Sequence, residues 1–139
     1  MTSLRASRFV IDSNVWVSAL VFGGAPRQVF EGVVLDGIAL VVSAELLSEI
    51  RRILTQKFPD FLADFDALLV ALQQNLTVVL LGSITISASR DSDHNKVLET
   101  AVIGHATEII SGDKDLLVLS YYDSIRIQKP TEWLRHTNT

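Results

Sequence analysis

Phe9-Val10-Ile11-Asp12-Ser13-Asn14 is the stretch from which the fold is read. Three consecutive apolar residues bounded by polar ones fit a strand covered on both faces, as in a parallel sheet. An acid closing such a strand lies beyond its carboxyl end, where open α/β sheets bind ligands. The pattern recurs along the chain. Residues 38–42 read as a second buried strand, 108–111 as a further strand and 125–127 as a last one, and 77–81 and 84–87 are β-prone. Helical spacing predicts helices over 15–22, 26–35, 44–57, 61–73, 94–106, 115–119 and 131–135. In the third of these, Leu46, Leu47, Ile50, Ile53 and Leu54 form the apolar stripe, Ser43 can cap its start, and Pro59 ends it. Short apolar strands alternating with amphipathic helices make a three-layer α/β/α domain around a central parallel sheet, one domain over residues 1–139.

Composition narrows the chemistry. The 139 residues are 48% hydrophobic, enough for one sizeable core. Twelve Lys+Arg against sixteen Asp+Glu leave a net charge of −4, which argues against a non-specific nucleic-acid coat protein, since such binding draws on a basic surface. There is no cysteine, so disulfide scaffolds, thiolate metal sites and cysteine nucleophiles are excluded. No stretch reads as an export signal or a membrane span, and the expectation is a cytoplasmic protein.

Several acids fall where a site could form. Asp12 and Asp113 both follow strands; each could equally cap the helix after it. Glu49 lies on the border of its helix's apolar stripe and could reach the sheet's upper edge or pair with Arg52. Asp91, Asp93 and His94 open the helix over 94–106, with His94 on the face of Val97, Leu98 and Ala101. Converging carboxylates repel, and a hard divalent cation such as Mg²⁺ or Mn²⁺ relieves that repulsion and bridges phosphate oxygens. The set therefore points to metal-assisted phosphoester chemistry. Asn14 stands where a haloacid-dehalogenase phosphatase needs a second Asp. The glycine patterns of dinucleotide and P-loop sites and the serine-hydrolase elbow are missing.

Four segments in order resemble the PIN-domain ribonuclease family, within it the VapC-like toxin branch of toxin–antitoxin pairs. Phe9 to Leu20 resembles the opening motif, with Asp12 and Asn14. Val42 to Leu54 resembles the second, with Glu49 as its acid. Arg90 to Ala101 resembles the third and Ile109 to Leu117 the fourth, with Asp113. The resemblance implies a Mg²⁺- or Mn²⁺-dependent endoribonuclease, with Asp12, Glu49, Asp91, Asp93 and Asp113 as catalytic acids. Of these, Asp12, Asp113, Glu49 and Asp93 would hold the metal, supported by Asn14, Ser111, His94 and Asp115. It also implies an RNA substrate, an antitoxin protein as partner, and a homodimer. RNA on an acidic chain needs a local basic rim, for which Arg27, Arg51, Arg52, Lys96 and Lys114 are the candidates.

His94 departs from the family, which carries Asp at that place. Imidazole can bind Mn²⁺ but suits Mg²⁺ poorly. Two readings stay open: an active nuclease in which Asp91 or Asp93 supplies the missing oxygen, and a catalytically impaired PIN-fold module that binds RNA or protein.

Overall fold

The computed structural model describes residues 7–82, 84–86 and 92–137, and of residues 92, 93 and 137 the backbone alone. The chain order is β1 (Arg8–Ile11), α1 (Ser13–Val21), α2 (Gly24–Asp36), β2 (Ala39–Ser43), α3 (Ala44–Lys57), a 3₁₀ turn (Pro59–Phe61), α4 (Leu62–Ala71) and β3 (Leu76–Val79). It continues through α5 (Ser92–Ile103), β4 (Glu108–Ile110), α6 (Lys114–Leu117), β5 (Tyr121–Tyr122), β6 (Ile125–Gln128) and α7 (Pro130–Thr137).

The strands form one sheet in the order β3-β2-β1-β4-β6-β5, parallel except for β5. β1 is central. Phe9 pairs with Leu40 on one side and Glu108 on the other, and Ile11 with Ile110. The chain first builds outward from β1 to β2 and β3, then returns to lay β4 against the other side of β1. The ends of β1 and β4 thus flank the point where strand order reverses, the crevice that open α/β sheets use for ligands.

Helices cover both faces. Successive side chains of a strand point to opposite faces. Phe9 meets the edge of the Trp133 ring in α7 at 5.3 Å, and α7 also packs on α2, where Gly32 gives Trp133 room. Val41 faces the other way, against Gly104 at the end of α5. A Cβ on Gly104 would lie 2.3 Å from Val41 Cγ1. Gly104→Ala is therefore expected to cost about 1–3 kcal/mol of stability through overpacking. Denaturant unfolding measures it; an unchanged midpoint would contradict so close an approach.

Local chemistry explains the element ends. Ser43 Oγ accepts the Leu46 N–H at 3.2 Å and caps α3, whose buried Leu46, Ile50 and Leu54 recur every fourth residue. Gly37, at φ 64°, closes α2 in the left-handed conformation that glycine adopts without strain. Trp16 fixes the base of α1. It is fully buried, its Nε1 donates to the Ile11 carbonyl at 3.0 Å, and its ring meets Phe30 at 4.7 Å and Phe65 at 6.0 Å.

Two expectations need correction, and one strand is new. Residues 84–86 are not in a strand, and Ser87 lies outside the described residues. Propensity there reflects a liking for a half-buried pleated surface, not a backbone that folds into strand unaided. The strand expected over 77–81 runs Leu76–Val79. β5 was not foreseen: two residues are too few to show a period, and its pairing to β6 depends on a turn with Asp123 at φ 54°. Among the described residues no helix is long and apolar enough to cross a membrane.

Candidate metal centre

Asp12 follows β1 and occupies the position before α1 from which an acid usually caps a helix. Its backbone is extended and its carbonyl accepts the Val15 and Trp16 N–H groups, but its carboxylate does not cap. The carboxylate turns into the crevice instead. Oδ2 accepts from Ser111 Oγ at 2.8 Å and Oδ1 from Ser13 Oγ at 3.4 Å. The residue is only 2% exposed. Burial pushes its pKa above the ordinary carboxylate range and Asp113 adds to that, while the Ser111 hydroxyl, His94 and the Ser13 backbone N–H pull it back. Among the described residues no lysine or arginine forms an ion pair with it.

Asp113 stands beyond β4 and does two things at once. Oδ1 accepts the Asp115 N–H at 2.8 Å, the capping role, while Oδ2 lies 3.2 Å from His94 Nε2. Ser111 ties the two acids together, its hydroxyl donating to Asp12 and accepting the Asp113 N–H at 3.0 Å. His94, 7% exposed, arrives from the first turn of α5, one turn before Val97 and Leu98, which anchor that face in the core.

Ligating atoms of His94, Asp113 and Asp115 all lie within 4.8 Å of one another. Two carboxylates and an imidazole, beside a buried carboxylate whose charge is opposed by desolvation, are a donor set that fits a divalent cation. The imidazole favours Mn²⁺ or a later transition ion over Mg²⁺. His94 and Asp115, expected to support the ligands, thus stand among the candidate ligands themselves.

The other expected residues have their own surroundings. Glu49 lies outside that group. It lines a cavity of about 460 Å³ between α3 and α5 with Ser48, Lys96 and Val97, its Oε1 3.7 Å from Arg52 Nη2. Asn14 is exposed and makes no hydrogen bond to Asp12; Ser13 and Ser111 hold that carboxylate. Ser13 was missed although it directly follows the acid, because an N-terminal helical serine is ordinarily spent on capping. Arg51 faces α4, 2.8 Å from Asp66 Oδ1 and over the Phe65 ring at 5.0 Å, so it holds two helices together rather than offering a rim charge. Arg52 and Lys96 share the Glu49 cavity, Lys114 is exposed at the start of α6, and Arg27 lines a groove with Leu20, Phe30 and Leu68. Asp91 lies outside the described residues; Asp93 lies in α5, its side chain outside the description.

The sequence model of the PIN domain matches residues 8–115, from the first strand to the acids after β4. The chain belongs to the PIN domain family. The PIN fold is also seen in structure comparison. A crystal structure of VapBC2 from Rickettsia felis bound to a DNA fragment from their promoter superposes with a TM-score of 0.60, covering 88% of this chain and 98% of that one at 8% identity. At that identity the likeness concerns the fold. No curated protein matches the sequence. PIN domains are generally nucleases that depend on divalent metal, and this PIN domain has a cluster of His94, Asp113 and Asp115 whose spacing suits such an ion.

Proposed function

We propose that the protein is a metal-dependent endoribonuclease and the toxin of a toxin–antitoxin pair, acting in the cytoplasm as a homodimer. The observation that carries this reading is the Asp12 carboxylate. It is buried, held by two serines, released from capping, and set beside Asp113 at the reversal of strand order. Keeping an acid charged in such a place is costly without a cation, and residues with strongly perturbed ionisation cluster at functional sites.

Asp12, Asp113, Asp115 and His94 are the residues that would hold the metal. A divalent ion bound there supplies a water of lowered pKa near neutral pH and offsets charge on the phosphate. The chain's own residues do the rest. Ser111 keeps Asp12 and Asp113 in fixed relation, so the acids do not reorganise as charge develops. Arg52 and Lys96 beside Glu49 offer positive charge to an RNA backbone in an otherwise acidic chain. VapBC2, the fold neighbour, was crystallised on its promoter DNA, and this supports an antitoxin as this protein's partner.

A specific contact favours the second reading, the impaired module: His94 Nε2 already occupies one oxygen of Asp113 at 3.2 Å. Cleavage of single-stranded RNA with Mn²⁺, with Mg²⁺ and with EDTA decides between them. The native chain is expected to cut faster with Mn²⁺, to stop in EDTA, and His94→Asp to raise Mg²⁺-dependent cleavage by roughly tenfold or more. If native and His94→Asp chains both bind RNA and leave it intact, the module reading holds. Cleavage that survives EDTA overturns the metal mechanism.

A further inference from the structure

A second cavity, of about 440 Å³, opens against the metal cluster and shares Asp113 with it. Its volume lies within the range of small-ligand pockets. Its walls are largely apolar and rigid: Val15 from α1, and the rings of Pro26 and Pro130 from the starts of α2 and α7. Their hydrocarbon gives a planar ring an apolar surface to lie against. Around that surface stand groups that both donate and accept, the Asn14 carboxamide and the Ser18 and Thr131 hydroxyls. Lys129 brings a cation to the lining. Its backbone N–H is bound by Glu132 Oε1 at 3.0 Å, which sets the entry to α7, and among the described residues its ammonium has no ion-pair partner. Gly112, between Ser111 and Asp113, leaves the approach to the acids open, since a Cβ there would meet nothing within 4 Å.

We propose that this cavity takes the unpaired base of the nucleotide next to the scissile phosphate, and that Asn14 is the residue that reads it. The proposal rests on the nuclease reading for its substrate class. Single-stranded RNA is recognised by splaying bases out against side chains that pair with their edges, and apolar walls with a few convergent polar groups suit that occupant. Lys129 matches the phosphate, and because Asp113 belongs to both the lining and the metal cluster, a base in the cavity leaves its sugar–phosphate beside that cluster. It also explains why Asn14 stands at this cavity and not on Asp12.

The test is titration of the full chain with the four 5′-nucleoside monophosphates and with ribose 5-phosphate, with and without Mg²⁺, following the Asn14 side-chain amide by NMR. The four nucleotides are expected to differ in affinity by about tenfold, the worth of one or two base-edge hydrogen bonds. They should shift the Asn14 resonance, ribose 5-phosphate should not, Asn14→Ala should level the four affinities, and Lys129→Ala should weaken all four alike. An unmoved Asn14 resonance, or equal affinities in the native chain, overturns the pocket and leaves the cavity to a protein partner. RNA cleavage without base preference also overturns it while sparing the nuclease reading. Nucleotide discrimination with no cleavage in any metal upholds the pocket and removes the nuclease.

Discussion

Asp12→Asn is expected to lower metal-dependent RNA cleavage by about a hundredfold or more, the scale of losing one fixed electrostatic group at a reacting phosphate. The same change is expected to leave the metal-free fold as stable as the native one, or more stable. The two effects have one cause. Burial opposes the charge on Asp12, so its pKa is raised in the folded protein. Linkage fixes the sign: without metal, the fold loses stability as pH rises from the unfolded pKa through the raised folded one. Asparagine removes that loss. Its Oδ1 can still accept from Ser111, and the Ser13 hydroxyl can turn to accept from Nδ2. Thermal unfolding over a range of pH, with and without Mn²⁺, checks this together with the cleavage rate. The native chain should gain stability with Mn²⁺ by mass action, and Asp12→Asn should not. An Asp12→Asn variant that cuts at the native rate, or that unfolds far more easily without metal, contradicts the account.

Trp16→Ala is the core substitution with the largest expected cost, about 3–5 kcal/mol, the range for removing a large buried aromatic. Three losses combine. A fully buried indole vacates the space between Phe30 and Phe65, two edge-on ring contacts disappear, and the Ile11 carbonyl loses the indole N–H. That carbonyl belongs to the residue immediately before Asp12, so the substitution should loosen the acid as well as the core. Trp16→Phe keeps much of the volume and is expected to cost less. Urea unfolding of both variants measures the difference; a loss under about 1 kcal/mol for Trp16→Ala would mean that the core closes around the gap.

The central strands were legible because strands buried on both faces read as short apolar runs, as at residues 9–11 and at Ile109-Ile110, where Glu108 opens the strand. That the acids after these strands share one crevice is a different matter. It depends on β4 returning to the free side of β1, and alternation of strands and helices does not fix that order. The four segments resembling the PIN family supplied it. Side-chain direction was legible only where packing decides it. His94 sits on the stripe of Val97 and Leu98 and is buried as the period requires. Glu49 lies on a stripe border, where a small rotation of the helix sets its direction; it lines the cavity between α3 and α5, within 3.7 Å of Arg52. Arg51 could not be read at all from its neighbours, since its partner Asp66 comes from the next helix. Nor could the capping signal separate Asp12 from Asp113: both acids precede helices, and only the second caps.

Calorimetric titration of the full chain with Mn²⁺, native against Asp113→Asn, tests the metal centre most directly. Asparagine keeps an oxygen to accept the Asp115 N–H, so the cap of α6 survives while the charge is lost. The account predicts a saturable Mn²⁺ site in the native chain and an affinity at least about tenfold weaker in Asp113→Asn. Equal affinity in the two chains, or no Mn²⁺ binding by the native one, would contradict it.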